Sequence, residues 1–139
     1  MKMANPDDFL YEYAVVRYVP RVDREEFINI GLLMLCKRQR WMQGRIAFEE
    51  ERLMAFDPKA NLATVEKFSS IFERDDVPAK DIAVEEKYRW LAAVKSAVIQ
   101  TSPSHPGIIM VDNAEMSREE KLKTLECEFD RLFDCLVRM

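Results

Sequence analysis

The alternation of apolar and polar positions changes period once along the chain. In the first third, "YEYAVVRYVP" sets Tyr11, Tyr13, Val15, Arg17 and Val19 against Glu12, Ala14, Val16 and Tyr18. β-Branched and aromatic types dominate, which predicts a strand ended by Pro20. After the charged link "RVDREE", the run "FINIGLLMLC" is apolar at nearly every position and predicts a central strand covered on both faces. The turn "KRQR" leads to a third predicted strand, "WMQGRIAF". Links this short favour antiparallel neighbours, so the three strands form a meander.

From Asp57 onward the period is mostly helical. Asp57-Pro58 supplies an N-cap and a proline at the first helical position, or Asn61 caps a slightly later start. Leu62, Val65, Phe68, Ile71 and Phe72 then recur at helical spacing as far as the acidic "ERDD". "VEEKYRWLAAVKSAVIQ" reads either as helix throughout or as a helix finishing as a strand at "SAVIQ". Ser117 and Glu120 form a capping box ahead of a stripe of Leu122, Leu125, Phe129, Leu132, Phe133 and Leu136. Glu115, Glu119 and Glu120 near its start and Arg131 and Arg138 near its end suit the helix dipole. Strands followed by helices predict an α+β fold, a small antiparallel sheet with three helices on one face. A fourth strand, near residues 96–100 or 107–111, remains open. With no repeat and no linker, residues 1–139 read as a single domain.

Composition narrows the function more than the fold. With 48% hydrophobic and 33% charged residues, the chain is of the globular class. A net charge of -4 disfavours nucleic acid as a partner, although Arg38, Arg40, Trp41 and Arg45 keep a basic, aromatic stretch in view. Cys36, Cys127 and Cys135 lack metal-site spacing and are odd in number, so reduced thiols are expected. "MKMANPDDFL" shows no leader and "INIGLLMLC" is too short to cross a bilayer, so a cytoplasmic protein without membrane contact is expected. A homo-oligomer is compatible with all of this.

The candidate chemistry is sparse. Gly31, Gly44 and Gly107 are too scattered for a phosphate loop. The acidic "EEER" at 49–52 reads as a solvated face, and neither a metal nor a cofactor is predicted. If the first two strands pair with Val19 opposite Phe27, Arg17 falls opposite Asn29. Arg17 then lies at a rim, or pairs with a helix carboxylate, or is a fixed cation on the floor of an anion site. The stretch "RWLAAVKSAVIQTSPSHPG" adds Arg89, Ser96, Gln100, Ser102 and the lone histidine, His105. Such a mixture can bind phosphate, carboxylate or peptide, or simply satisfy its own loop. A serine with His105 lacks an orienting acid and an oxyanion hole, so no complete catalytic set is visible and the reading leans away from an enzyme. Trp41 and Trp90 read as core or interface anchors.

"YEYAVVRYVP", "FINIGLLMLC", "RWLAAVKSAVIQTSPSHPG" and "LECEFDRLFDCLV" occur in the order of the motifs of a bacterial family known only as domain of unknown function 3037. The chain resembles that family from about Tyr11 to Val137. Arg17, Tyr18 and Pro20 match its first motif, and Phe27, Asn29 and Gly31 match an F-x-N-x-G core. Trp90, Leu91, Ser96, Gln100, His105 and Gly107 match its third motif in part. Pro106 between His105 and Gly107, and the insertion "IIMVDNAEMSREEK", depart from the pattern. The resemblance carries no activity. It implies an accessory or regulatory role beside a HipA-like kinase in a two-gene, toxin-antitoxin-like neighbourhood.

Two functions follow as expectations. The first is a cytoplasmic accessory or binding module that docks a protein partner. The alternative is a small phosphate- or anion-ligand domain, or an enzyme, in which Arg17, Asn29, Arg89, Ser96, Gln100 and His105 converge on one pocket.

Overall fold

A computed structural model describes residues 6–93, 96–112 and 115–138. A 3-10 turn, Pro6–Phe9, leads into β1 (Leu10–Tyr18). After a second such turn, Val22–Arg24, come β2 (Ile28–Cys36) and β3 (Trp41–Ile46). The helices α1 (Glu50–Phe56), α2 (Leu62–Ile71) and α3 (Val84–Ala92) follow, then β4 (Ile99–Thr101), β5 (His105–Ile108) and α4 (Arg118–Leu136). The protein is thus α+β, with five antiparallel strands and four α-helices among the described residues.

The meander forms as the apolar alternation requires, in the order β3-β2-β1. The outer edge of β1 is shared by two short strands. β4 pairs with Val16, Arg17 and Tyr18, and β5 with Leu10 to Tyr13. "VEEKYRWLAAVKSAVIQ" therefore begins as helix, to Ala92, and finishes as strand from Ile99, with Val94 and Lys95 outside the described residues. Ser102 joins the two short strands across Pro103, which has no N–H to give the ladder. Its N–H donates to Val15 O at 2.8 Å, and its hydroxyl accepts from Val15 N at 2.9 Å.

The helices cover both faces of the sheet, where the sequence led us to expect one. Ala14, Val16 and Tyr18 of β1 pack with Leu53 of α1, Val65 of α2 and Tyr88 and Leu91 of α3. Tyr11 of β1 with Leu32, Met34 and Cys36 of β2 packs under Leu125, Phe129, Leu132 and Phe133 of α4. The reason lies in β2, whose side chains are apolar on both sides, so neither face can be left to water. The two-sided run also crosses a bulge. Val16 pairs with Gly31 and Arg17 with Asn29, leaving Ile30 unmatched. Ile28 and Ile30 join the α1–α3 layer, as do Leu33 and Leu35, so the alternation shifts phase at Gly31. A Cβ at Gly31 would lie 2.7 Å from Arg45 O and run into Ile46 Cδ1, which is why no side chain stands there.

Helix starts follow their caps. Asn61 Oδ1 accepts from Thr64 N at 3.2 Å and Ser117 Oγ from Glu120 N at 3.1 Å. α1 is the helix absent from the expected three. The "EEER" at 49–52 spans its cap and first turn, and Glu49, Glu50, Glu51 and Arg52 are exposed while Leu53 is fully buried. At the other end of the chain, α4 finishes against the sheet. Asn29 Nδ2 donates to Leu136 O at 3.0 Å and Arg52 Nη1 to Val137 O at 3.1 Å, satisfying carbonyls that a helix end leaves open.

Candidate functional site

The residues singled out from the sequence fall on three parts of the fold. Because Ala14, Val16 and Tyr18 face α1–α3, strand alternation puts Tyr11, Tyr13, Val15 and Arg17 on the α4 face. Arg17 lies directly opposite Asn29 on β2 and Gln100 on β4, the register expected from pairing Val19 with Phe27. Asn29, Arg17 and Gln100 therefore form one polar row across three strands. His105 pairs with Tyr13 on the same face, its ring centroid 5.3 Å from the tyrosine ring. Four residues of β1 separate it from Arg17, roughly 13 Å of strand.

Arg89 stands on the opposite face. Its guanidinium meets both oxygens of Glu12, at 2.7 Å and 3.0 Å, and lies 5.3 Å from the centre of the Tyr88 ring. Ser96 serves its own loop by accepting from Val98 N at 3.1 Å. The six residues do not share one face. Arg17, Asn29 and Gln100 are together, His105 is further along, and Arg89 and Ser96 are elsewhere.

Within the row, Arg17 differs from the other arginines around it. Its guanidinium carbon lies 4.1 Å from the centre of the Phe27 ring, two residues before Asn29 and so on the same side of the chain. Its Nε is buried and has no hydrogen-bond partner, and the same is true of Asn29 Oδ1. Gln100 Nε2 donates to Ala97 O at 2.8 Å. Arg45, on the same face of β3, has an acid and two rings as partners. It pairs with Asp130 at 2.9 Å and lies 4.8 and 5.0 Å from the ring centres of Phe129 and Phe133. The alternative of Arg17 paired to a helix carboxylate does not occur among the described residues.

α4 covers only part of this face. Its apolar stripe lies over β2 and Tyr11, and Tyr11 donates to Glu128 at 2.6 Å. Tyr13 packs at the margin of this layer, Arg17 and Gln100 are half-buried, and His105 is exposed. Burial and the bond to Glu128 push the Tyr11 hydroxyl well above its ordinary range, so it stays a neutral donor. The Glu128 carboxyl is held low, first by its bond from Arg131.

The basic stretch around the β2–β3 turn does not form one patch. Arg38 pairs with Asp8 at 3.3 Å, Trp41 packs into the α4 layer, and Arg45 lies on the α4 face. A cavity of about 520 Å³ opens beside this turn, lined by Leu10, Glu12, Leu35, Lys37, Arg38 and Pro106 among others. No helix among the described residues is long and apolar enough to cross a membrane. No group of three metal-ligating side chains occurs among them.

The stacking of Arg17 on Phe27, the Asn29 contact with α4 and the Glu12–Arg89 pair escaped the sequence reading. Only the F-x-N spacing, once set in register against Arg17, could have exposed the first.

The architecture is that of a small α+β protein in which an antiparallel sheet carries helices on both faces and a polar row at its open half. The sequence pattern of the family described as Protein of unknown function (DUF3037) matches residues 13–125, and the chain belongs to that family. No curated protein and no solved structure matches it.

Proposed function

We propose that the chain is a cytoplasmic accessory module, acting as one domain, that docks a protein partner through the part of the sheet face that α4 leaves open. The observation that carries this reading is Arg17, a half-buried cation stacked on Phe27 that pairs with no acid among the described residues. An arginine left in this state suits a surface completed by another molecule, since arginine, with tryptophan and tyrosine, is enriched at the energetic centre of interfaces. Tyr13 and His105 extend the same face with two rings in tilted contact.

The HipA-like kinase that the family resemblance implies is the first partner to test. Titration calorimetry of the purified chain with that kinase is expected to give a saturable complex, weakened at least about tenfold by Arg17→Glu. A monodisperse chain that shows no heat and no co-elution with the kinase at micromolar concentration would remove this partner.

A further inference from the structure

We infer that the cleft between the β1–β2 link and the α1–α2 link binds a small phosphate monoester whose organic part is compact and aromatic or apolar. Tyr18, Phe56 and Val98 of this cleft belong to the α1–α3 layer. The site therefore lies on the opposite side of the sheet from Arg17 and does not rest on the docking surface.

The cavity measures about 490 Å³, a size suited to a small molecule. Part of its wall is apolar and half-buried, from Pro20, Phe56 and Val98. Three exposed cations, Arg21, Arg24 and Lys59, line it as well. The two links are brought together by one contact. Asp57, the C-cap of α1, accepts the hydroxyl of Tyr18, the last residue of β1, at 2.5 Å. Lys59, two residues on, thereby shares a cleft with the "RVDREE" link that carries Arg21 and Arg24.

Donors prevail in this cleft. Asp57 is used within the chain, Oδ2 by the Tyr18 hydroxyl and Oδ1 by the Lys59 N–H at 3.1 Å. The Lys59 ammonium pairs with no acid among the described residues. Arg21 and Arg24 bond Asp23 and Glu26 through Nε and Nη2, which leaves each Nη1 to donate. Asn61, whose Oδ1 caps α2, keeps Nδ2 as a further donor. Against these stands Glu26 Oε2, since Oε1 takes both bonds from Arg24. Both arginine pairs have at least half of each side chain exposed, so they add little to stability and open readily. A carboxylate ligand would exchange with Asp23 or Glu26 like for like. A phosphate dianion brings a second charge and three oxygens, enough to meet both guanidinium groups and Lys59 together. Free phosphate has nothing to set against Phe56 and Val98, whereas an ester does.

The test uses the full chain, labelled with nitrogen-15, and three probes: phenyl phosphate, inorganic phosphate and benzoate. Phenyl phosphate is expected to shift the Lys59 amide and the Arg21 and Arg24 Nε–H signals saturably, with the Arg17 Nε–H unmoved. Its binding should strengthen as pH rises through about 6, where the ester takes its second charge. Benzoate and inorganic phosphate should each bind about tenfold or more weakly, and so should phenyl phosphate to a chain carrying Arg24→Gln and Lys59→Gln. Both substituted side chains are exposed, so an unchanged urea midpoint separates lost binding from lost folding. Should the double variant be destabilised, Lys59→Gln alone, which breaks no ion pair among the described residues, must still weaken binding. The inference is overturned if phenyl phosphate leaves those signals unmoved, if a folded variant binds it equally, or if benzoate or inorganic phosphate binds as tightly.

Discussion

Two arginines on one face of the sheet allow the state of Arg17 to be measured without any ligand. In Arg17→Met the side chain keeps an apolar stem of similar length but loses its guanidinium. The buried, unpartnered Nε costs the folded protein about 1–3 kcal/mol in lost hydration, and the variant recovers that amount. Against it stands the stacking on Phe27, about 0.5–1 kcal/mol for a ring that is itself 42% exposed. The balance is a variant as stable as the parent or more stable by up to about 2 kcal/mol. Arg45→Met has the opposite balance. It loses an ion pair worth about 0.2–1 kcal/mol, since Asp130 is largely exposed, and two ring contacts of about 0.5–1 kcal/mol each. Its expected loss is about 1–3 kcal/mol. Urea unfolding at equilibrium reads both, with an unchanged slope required before midpoints are compared. A loss above about 2 kcal/mol in Arg17→Met would mean that Arg17 is a structural residue. The argument for an open binding surface would then fall.

Other consequences are independent of the row. Gly31→Ala drives a methyl into Arg45 O and Ile46 Cδ1 at the bulge, so a loss of about 1–3 kcal/mol is expected in the urea midpoint, with β2 and β3 amides the most shifted in the spectrum. Ser117→Ala removes the α4 cap and should cost about 1 kcal/mol, with Ser117→Asp restoring most of it in thermal unfolding. The hydroxyls of Tyr11 and Tyr18 are held high by burial and by bonds to Glu128 and Asp57, and that of Tyr88 by burial. A raised folded value means the native state keeps protons that the unfolded chain releases near pH 10, so this stability is complete below about pH 10 and falls as pH rises beyond it. Phenolate absorbance should accordingly show three of the four tyrosines ionising only with unfolding; smooth titration of all four in a folded chain would contradict the burial. Cys127 and Cys135 are exposed and Cys36 is buried with its thiol pushed up, so a thiol reagent should modify two groups rapidly and the third only in denaturant.

The chain's periodicities alone determined that three strands come first, that they form a meander, and that a capped amphipathic helix closes the fold. These are local matters: alternation fixes which side chains share a face, and a serine three residues before a glutamate satisfies a backbone N–H wherever the helix lies. The pairing of Arg17 with Asn29 was likewise legible, because a short link leaves few registers in which both strands keep their apolar sides together. What tertiary structure decided was everything that depends on a distant neighbour. Arg89 belongs with Glu12, 77 residues away, and no spacing rule connects them. Asn29 is held by the last turn of α4, 107 residues on, so its role as a helix cap is invisible along the strand. The six polar residues looked like one site because four of them are close in sequence. The sheet disperses them, since a strand turns successive side chains to opposite faces and carries each residue about 3.3 Å further along. Arg17 keeps its unusual state for the complementary reason: the α4 layer takes in Tyr11 and Tyr13 of β1 but not Arg17, and no carboxylate among the described residues reaches it.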